Sequence, residues 1–349
     1  MRRIPVLFAP LLLIALAVPA AGGRADTLPA ALTDHDFWSL SAQLSEPNGA
    51  FVSRSGSPDN LLSNEMQVSA VAGALAAQVT PGGVYLGVGP EQNFTYIAAM
   101  QPRIAFVTDI RRGNLDLLLV YKALFEMSAS RTEFVSRLFS RKLVTSLPRT
   151  AGAAQLMSAY GSAPPVDEAA LAANLKAILD LLTTKHGFAL TADDRDNIEH
   201  AYRAYHQFGP AIDYTSSING RTGRFVSYAT VAASTDRQGR ERGFLATDEN
   251  FAFVKTMESR NLIVPVVGDF AGPRALRAIG AWLRGRGAAV TAFYVSNVED
   301  YLERNGVWPA FCANVASLPV DRSSIFIRPN RGGSPFSPIT AETAACAGR

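Results

Sequence analysis

Short, almost wholly apolar runs at residues 84–88, 104–107 and 262–267, with a fourth at 288–294, constrain this chain more than any other feature. Val-Tyr-Leu-Gly-Val, Ile-Ala-Phe-Val and Leu-Ile-Val-Pro-Val-Val leave no alternating polar face, as expected of strands covered on both sides. Helical spacing follows the runs. Leu115, Leu118, Leu119, Tyr121, Leu124 and Phe125 line one side of a helix predicted over residues 114–126, and shorter helices are expected over 91–99, 273–286 and 298–304. Doubly buried strands alternating with helices predict a mostly parallel sheet in a three-layer α/β sandwich.

The remaining segments fill in this plan. Strands are expected at 225–231, after an Asn219-Gly220 turn, and at 324–327, giving six in all. A helix over about 63–79 carries Met66, Val68, Val71, Ala72 and Leu75, with Ser63-Asn64-Glu65 as its cap and Pro81-Gly82-Gly83 as its stop. A further helix is predicted over 248–259. Residues 131–208 hold four helical patterns and no strand, so they form a helical insertion in an α/β domain spanning 61–328. Tyr202, Tyr205 and Phe208 there fit cap packing. Residues 26–60 are expected to be an irregular lead-in and 329–349 an irregular tail.

The N-terminus has the layout of a secretory signal peptide over residues 1–25: Arg2 and Arg3, an apolar run at 6–18, then small residues. The mature chain is then exported to the periplasm or the extracellular space, with no stable membrane span after cleavage. Removal takes Arg2, Arg3 and Arg24 from 33 basic residues and nothing from 30 acidic ones. The balanced remainder gives no reason to expect a nucleic-acid partner. Cys312 and Cys346, the only cysteines, are too few for a cysteine-built metal site; they close a C-terminal disulfide or stay as two thiols.

Candidate site residues gather at the ends of the expected strands. Gly87 and Gly89 end the first, where a ligand can approach backbone at the start of the next helix. Asp109 ends the second, 20 residues beyond Gly89, placed to accept hydrogen bonds from ribose hydroxyls. Arg111 and Arg112 follow it and suit a carboxylate or phosphate. Glu65, Glu91, Asn93, Asn114, Tyr294 and Asn297 are possible ligand contacts at the same edge, and Asp269, between Gly268 and Gly272, is the candidate proton acceptor. The histidines suggest no catalytic assembly: His35 and His186 are isolated, and His200 and His206 lie six apart. Neither an HExxH nor a GxSxG motif occurs.

Residues 83–126 and 262–304 resemble parts of a Rossmann-like class I S-adenosylmethionine-dependent methyltransferase fold. The chain also resembles an uncharacterised bacterial secreted family in Tyr85-Leu-Gly-Val-Gly-Pro-Glu-Gln-Asn93, Asp109-Ile-Arg-Arg-Gly-Asn114, Val264-Pro-Val-Val-Gly-Asp-Phe-Ala-Gly272 and Tyr294-Val-Ser-Asn-Val-Glu299. The methyltransferase resemblance implies S-adenosylmethionine as cofactor, with Gly87 and Gly89 by its amino-acid part, Asp109 by its ribose and Asp269 near the reacting side. Pro90 interrupts the usual glycine pattern, and the catalytic motif after the fourth strand is absent. Methyl transfer to an unknown acceptor therefore stands beside two alternatives. One is a non-catalytic small-molecule binding or structural module. The other is an extracytoplasmic enzyme acting on an acidic or sugar-like substrate through Asp269.

Overall fold

The structure, a computed structural model, describes residues 27–50, 60–329 and 334–346; the expected signal segment lies outside them. Six strands form one sheet: β1 (Val84–Gly87), β2 (Ile104–Asp109), β3 (Ile263–Val267), β4 (Val290–Tyr294), β5 (Val320–Ile327) and β6 (Phe336–Pro338). Their order is β3-β2-β1-β4-β5-β6. The first five run parallel, and β6 pairs antiparallel with β5. Every residue of β1, β2 and β3 is buried, which accounts for their unbroken apolar composition. The architecture is a Rossmann-like α/β sandwich.

Helices cover the sheet. Helix α1 (Asp34–Leu44) packs against β3 and the helix Ala275–Arg284; α2 (Val68–Gln78) packs against α3 (Gln92–Met100). Helix α4 (Arg112–Met127) lies against β2 and β3 beside the helix Asp248–Ser259. Its buried Tyr121 and Phe125 meet Phe94 of α3 at 5.1 and 5.2 Å between ring centroids, and Phe134 lies 4.5 Å from Phe125. These edge-on and tilted contacts join the sheet domain to the helical insertion through one apolar core.

Three expectations need correction. Residues 225–231 form no strand: Ser227 Oγ accepts from the Thr230 backbone N–H and starts the short helix Tyr228–Ala232, so the helical region continues beyond residue 208. The lead-in is not wholly irregular, because Thr33 Oγ1 caps α1 by accepting from Asp36 N–H at 3.0 Å. Nor is the tail, where β6 and the helix Ile339–Cys346 follow one another. The sixth strand is therefore β6, and the segment before the second half of the sheet is helical.

Topology opens the site. From β1 the chain adds β2 and β3 on one side, then crosses to β4 on the other. The loops leaving β1 and β4 diverge, which leaves a crevice beyond the C-terminal ends of adjacent strands.

Candidate functional site

A cavity of about 510 Å³ occupies that crevice. Its floor comes from the loops after four strands: Gly89 and Pro90 after β1, Asp109 to Arg111 at the end of β2, Gly268 to Phe270 after β3, and Tyr294, Ser296 and Asn297 around the end of β4. Ser63, Asn64 and Glu65 form part of the wall before α2. Tyr214, Arg224 and Phe225 reach it from the helical region, and Tyr301 and Leu302 from the helix Val298–Arg304. The volume falls in the range of small-molecule sites, and the lining mixes apolar side chains with many polar and charged ones.

The glycine turn has two separable jobs. Gly89 sits at φ +77°, a left-handed conformation that glycine adopts without strain, and it lines the cavity. Gly87 lies behind the lining. A Cβ there would fall 2.0 Å from Asn93 Oδ1 and 2.7 Å from the Tyr85 ring. Asn93 fills that space because its amide is fully used: Nδ2 donates to the carbonyls of Val88, Gly89 and Pro90, while Oδ1 accepts from the Tyr85 hydroxyl at 2.8 Å. Asn114 adds a bond from Nδ2 to the Gly89 carbonyl at 3.1 Å. Asn93 and Asn114 thus shape the turn from behind.

Before α2, Ser63-Asn64-Glu65 does not cap the helix. Ser63 Oγ accepts from the Glu65 N–H, and α2 starts at Val68 without a side-chain cap. Glu65 turns to the cavity instead, only 3 % exposed, with Oε1 accepting from Ser296 Oγ at 2.6 Å. Burial, outweighing the Ser296 and Tyr294 hydroxyls, raises its pKa. Glu91 sits behind it, accepting the Ser63 N–H with both oxygens at 3.0 and 3.1 Å. Burial pushes Glu91 up to about 7, with the nearby Glu65 charge acting in the same direction. Ser296 holds φ +50°, an uncommon conformation for a residue with a side chain.

The acidic strand ends are tied down differently. Asp109 Oδ1 accepts from the Arg111 N–H and Nε, and Oδ2 from Arg111 Nη2, each at 3.0 Å. The turn after β2 brings residue 111 back over residue 109. Arg112 is directed elsewhere, with Nε and Nη2 donating to Asp194 at 2.8 and 3.0 Å. The expected double-arginine anion site therefore does not assemble, because each guanidinium already has its own carboxylate. Asp269 Oδ1 accepts from the Ala271 N–H and fixes the loop after β3. Glu46, just past α1, accepts from the backbone N–H groups of Asp269, Arg274 and Ala275, so part of the lead-in braces this loop.

Of the residues singled out from sequence, Glu65, Gly89, Asp109, Arg111, Asp269, Tyr294 and Asn297 share the cavity wall. Gly87, Glu91, Asn93 and Asn114 stand outside its lining. Sequence reasoning missed Ser296 and the Tyr214, Arg224 and Phe225 group. Ser296 lay inside a recognised strand-end segment, whereas nothing local marks residues 214–225 as neighbours of a loop more than 100 positions earlier. Among the described residues no histidine lines the cavity, and no group of His, Cys, Asp and Glu side chains is placed to hold a metal ion. No described helix is long and apolar enough to cross a membrane.

None of the curated proteins compared with the chain matches it. A family model described as a domain of unknown function, DUF7790, matches residues 61–342, from the segment before the glutamate wall to the C-terminal helix. That span includes all six strands and nearly all of the cavity lining, and the chain belongs to the DUF7790 family.

Proposed function

We propose that the protein binds a nucleoside-containing small molecule in the crevice between β1 and β4, with S-adenosylmethionine the leading ligand and methyl transfer the corresponding reaction. The observation that carries this reading is the cavity at the switch point, with left-handed Gly89 and Asp109 on its floor. Gly89 allows a ligand close to the backbone, and Asp109 offers a carboxylate at the end of the neighbouring strand. Ribose hydroxyls would share that carboxylate with Arg111, since both of its oxygens already accept from the guanidinium.

S-adenosylmethionine, when bound, supplies the methyl carbon. The chain would have to position an acceptor and take its proton. Glu65, a buried carboxylate with Oε2 unpartnered, and Asp269, across the cavity, are the two lining acids suited to that step. Binding without catalysis is the second reading, favoured by Pro90 in the glycine turn and by Asp269 Oδ1 already accepting from the Ala271 N–H. Export to the periplasm or beyond belongs to the proposal too. It is supported by the signal-like layout of residues 1–25 and by the bond between Cys312 and Cys346.

Calorimetric titration with S-adenosylmethionine and with adenosine tests the reading. Both are expected to bind, and Asp109→Asn should weaken both by about tenfold through loss of the ribose-facing charge. Absence of binding by either ligand to folded protein refutes the nucleoside assignment. Unchanged affinity in the variant refutes the placement at Asp109.

A further inference from the structure

The wall of this cavity formed by Glu65 holds a buried carboxyl with no cation beside it among the described residues. Glu65 and Glu91 are 3 % and 4 % exposed and repel one another, and among the described residues no cation pairs with either. Glu91 has its two bonds from Ser63. Glu65 Oε1 accepts from Ser296 Oγ, the Tyr294 hydroxyl faces the same carboxyl, and no group lies within hydrogen-bond distance of Oε2. Gln92 lies on the same wall, and its Nε2 donates to the Val88 carbonyl and to the Tyr294 hydroxyl, at 3.0 and 3.1 Å. Those donations fix the amide's orientation and leave Gln92 Oε1 buried without a partner. Tyr294 links the two residues, since its hydroxyl also faces Glu65.

Both atoms left without a partner are hydrogen-bond acceptors when Glu65 is ionised. A group that satisfies them must bring donors, and leaving them unsatisfied costs the full desolvation of each. A protonated amine brings three donors, no acceptor and one positive charge. It would relieve the repulsion between Glu65 and Glu91 while completing both acceptors. The Tyr294 ring, which lines the cavity, adds aromatic surface beside it. An anionic group would instead place negative charge beside two carboxyls that burial already pushes toward their neutral form. Of the lining arginines, Arg111 is bound to Asp109, and exposed Arg224 belongs to the helical region rather than to this wall.

We propose that the cavity recognises a ligand bearing a protonated aliphatic amine, which seats against Glu65 and Gln92 beside Tyr294. The inference rests on the crevice being a ligand site, and not on the ligand containing a nucleoside. The amine keeps its proton and donates to Glu65 Oε2 and Gln92 Oε1; no covalent bond changes.

Phenethylamine, 2-phenylethanol and phenylacetate, which share a ring and differ in the terminal group, are suitable probes by ligand-observed NMR titration. The amine is expected to bind about tenfold or more tighter than the alcohol, and the acid weakest. Glu65→Gln, checked for folding by circular dichroism, should remove the amine's advantage. Equal or tighter binding of the alcohol or acid overturns the proposal, as does an undiminished preference in the variant or an amine that does not bind. The wild-type ranking stands as a test even if the variant fails to fold. Adenosine titrated in parallel separates the two claims. If adenosine binds and the amine does not, this inference alone fails; the reverse result sinks only the nucleoside reading. Silence from both refutes both.

Discussion

Two residues apart, Gly87 and Gly89 answer to different physics. Gly89 needs freedom at φ +77°, whereas Gly87 needs the absence of a Cβ because Asn93 and Tyr85 occupy that position. Gly87→Ala should destabilise the protein by about 1–3 kcal/mol, since Asn93 cannot withdraw without breaking its bonds to three carbonyls. Urea denaturation followed by circular dichroism reads this directly, and an unchanged midpoint would contradict the packing account. At this scale the residue types at the strand ends were legible: small residues where a ligand or side chain comes close, acids where strands stop. Their partners were not. Nothing in Asp109-Ile-Arg-Arg distinguishes the arginine that folds back on Asp109 from the one that reaches Asp194, since that choice depends on a helix 82 positions away.

Among elements, β1 to β4 were legible because doubly buried strands have no polar alternation to confuse with a helix. Residues 225–231, rich in aromatic and β-branched side chains, show the limit. Local composition favoured a strand, but the Ser227 cap and burial of Tyr228 against the helical region prevail. Three-residue β6, ending in proline, is specified by its pairing with β5 rather than by its own sequence. Helix α1 had a readable signal in Thr33 with Asp34 and Asp36, and its docking involves charge as well as packing. His186, from the insertion, lies 2.9 Å from Asp34 and 2.9 Å from Glu126 of α4. Burial alone would lower the His186 pKa, but hydrogen bonds and charge from Glu126 and Asp34 outweigh it and raise the value. Burial likewise opposes ionisation of Glu126, yet His186 and Lys122 hold it down at about 2. Lys185 also contacts Glu126. A histidine whose folded pKa is raised stabilises fully below its unfolded value, near 6.5, and loses that contribution as pH rises through the folded value. The stability difference between the wild type and His186→Gln should therefore be largest at about pH 6 and shrink toward pH 9. Denaturant midpoints across that range check it; a gap that widens with pH contradicts the sign.

Over the whole molecule, the C-terminal helix is fastened by a disulfide to the helix Trp308–Ala316 and by an ion pair to the end of β5. Cys346 bonds Cys312 across a separation of 34 residues, and Arg328 at the end of β5 pairs with Glu299 and with Glu342. The disulfide was one of two alternatives open from sequence, because two cysteines fix no geometry. Cys346→Ser should cost about 2–4 kcal/mol, as expected for opening a loop of this length. Equal stability of the variant and the oxidised wild type in urea would show that the ion pairs suffice. The overall plan followed from alternation of strands and helices, but the cavity did not. It is completed by three stretches distant in the chain: residues 63–65 before α2, 214–225 from the helical region, and 296–302, which the crossover from β3 to β4 carries to this edge.

The most direct test of the central claim is a crystal structure of the protein grown with millimolar adenosine. The account predicts the nucleoside in the crevice between β1 and β4, with its ribose toward Asp109 and its backbone contact at Gly89. Adenosine bound elsewhere, or a crevice without it at that concentration, would contradict the assignment.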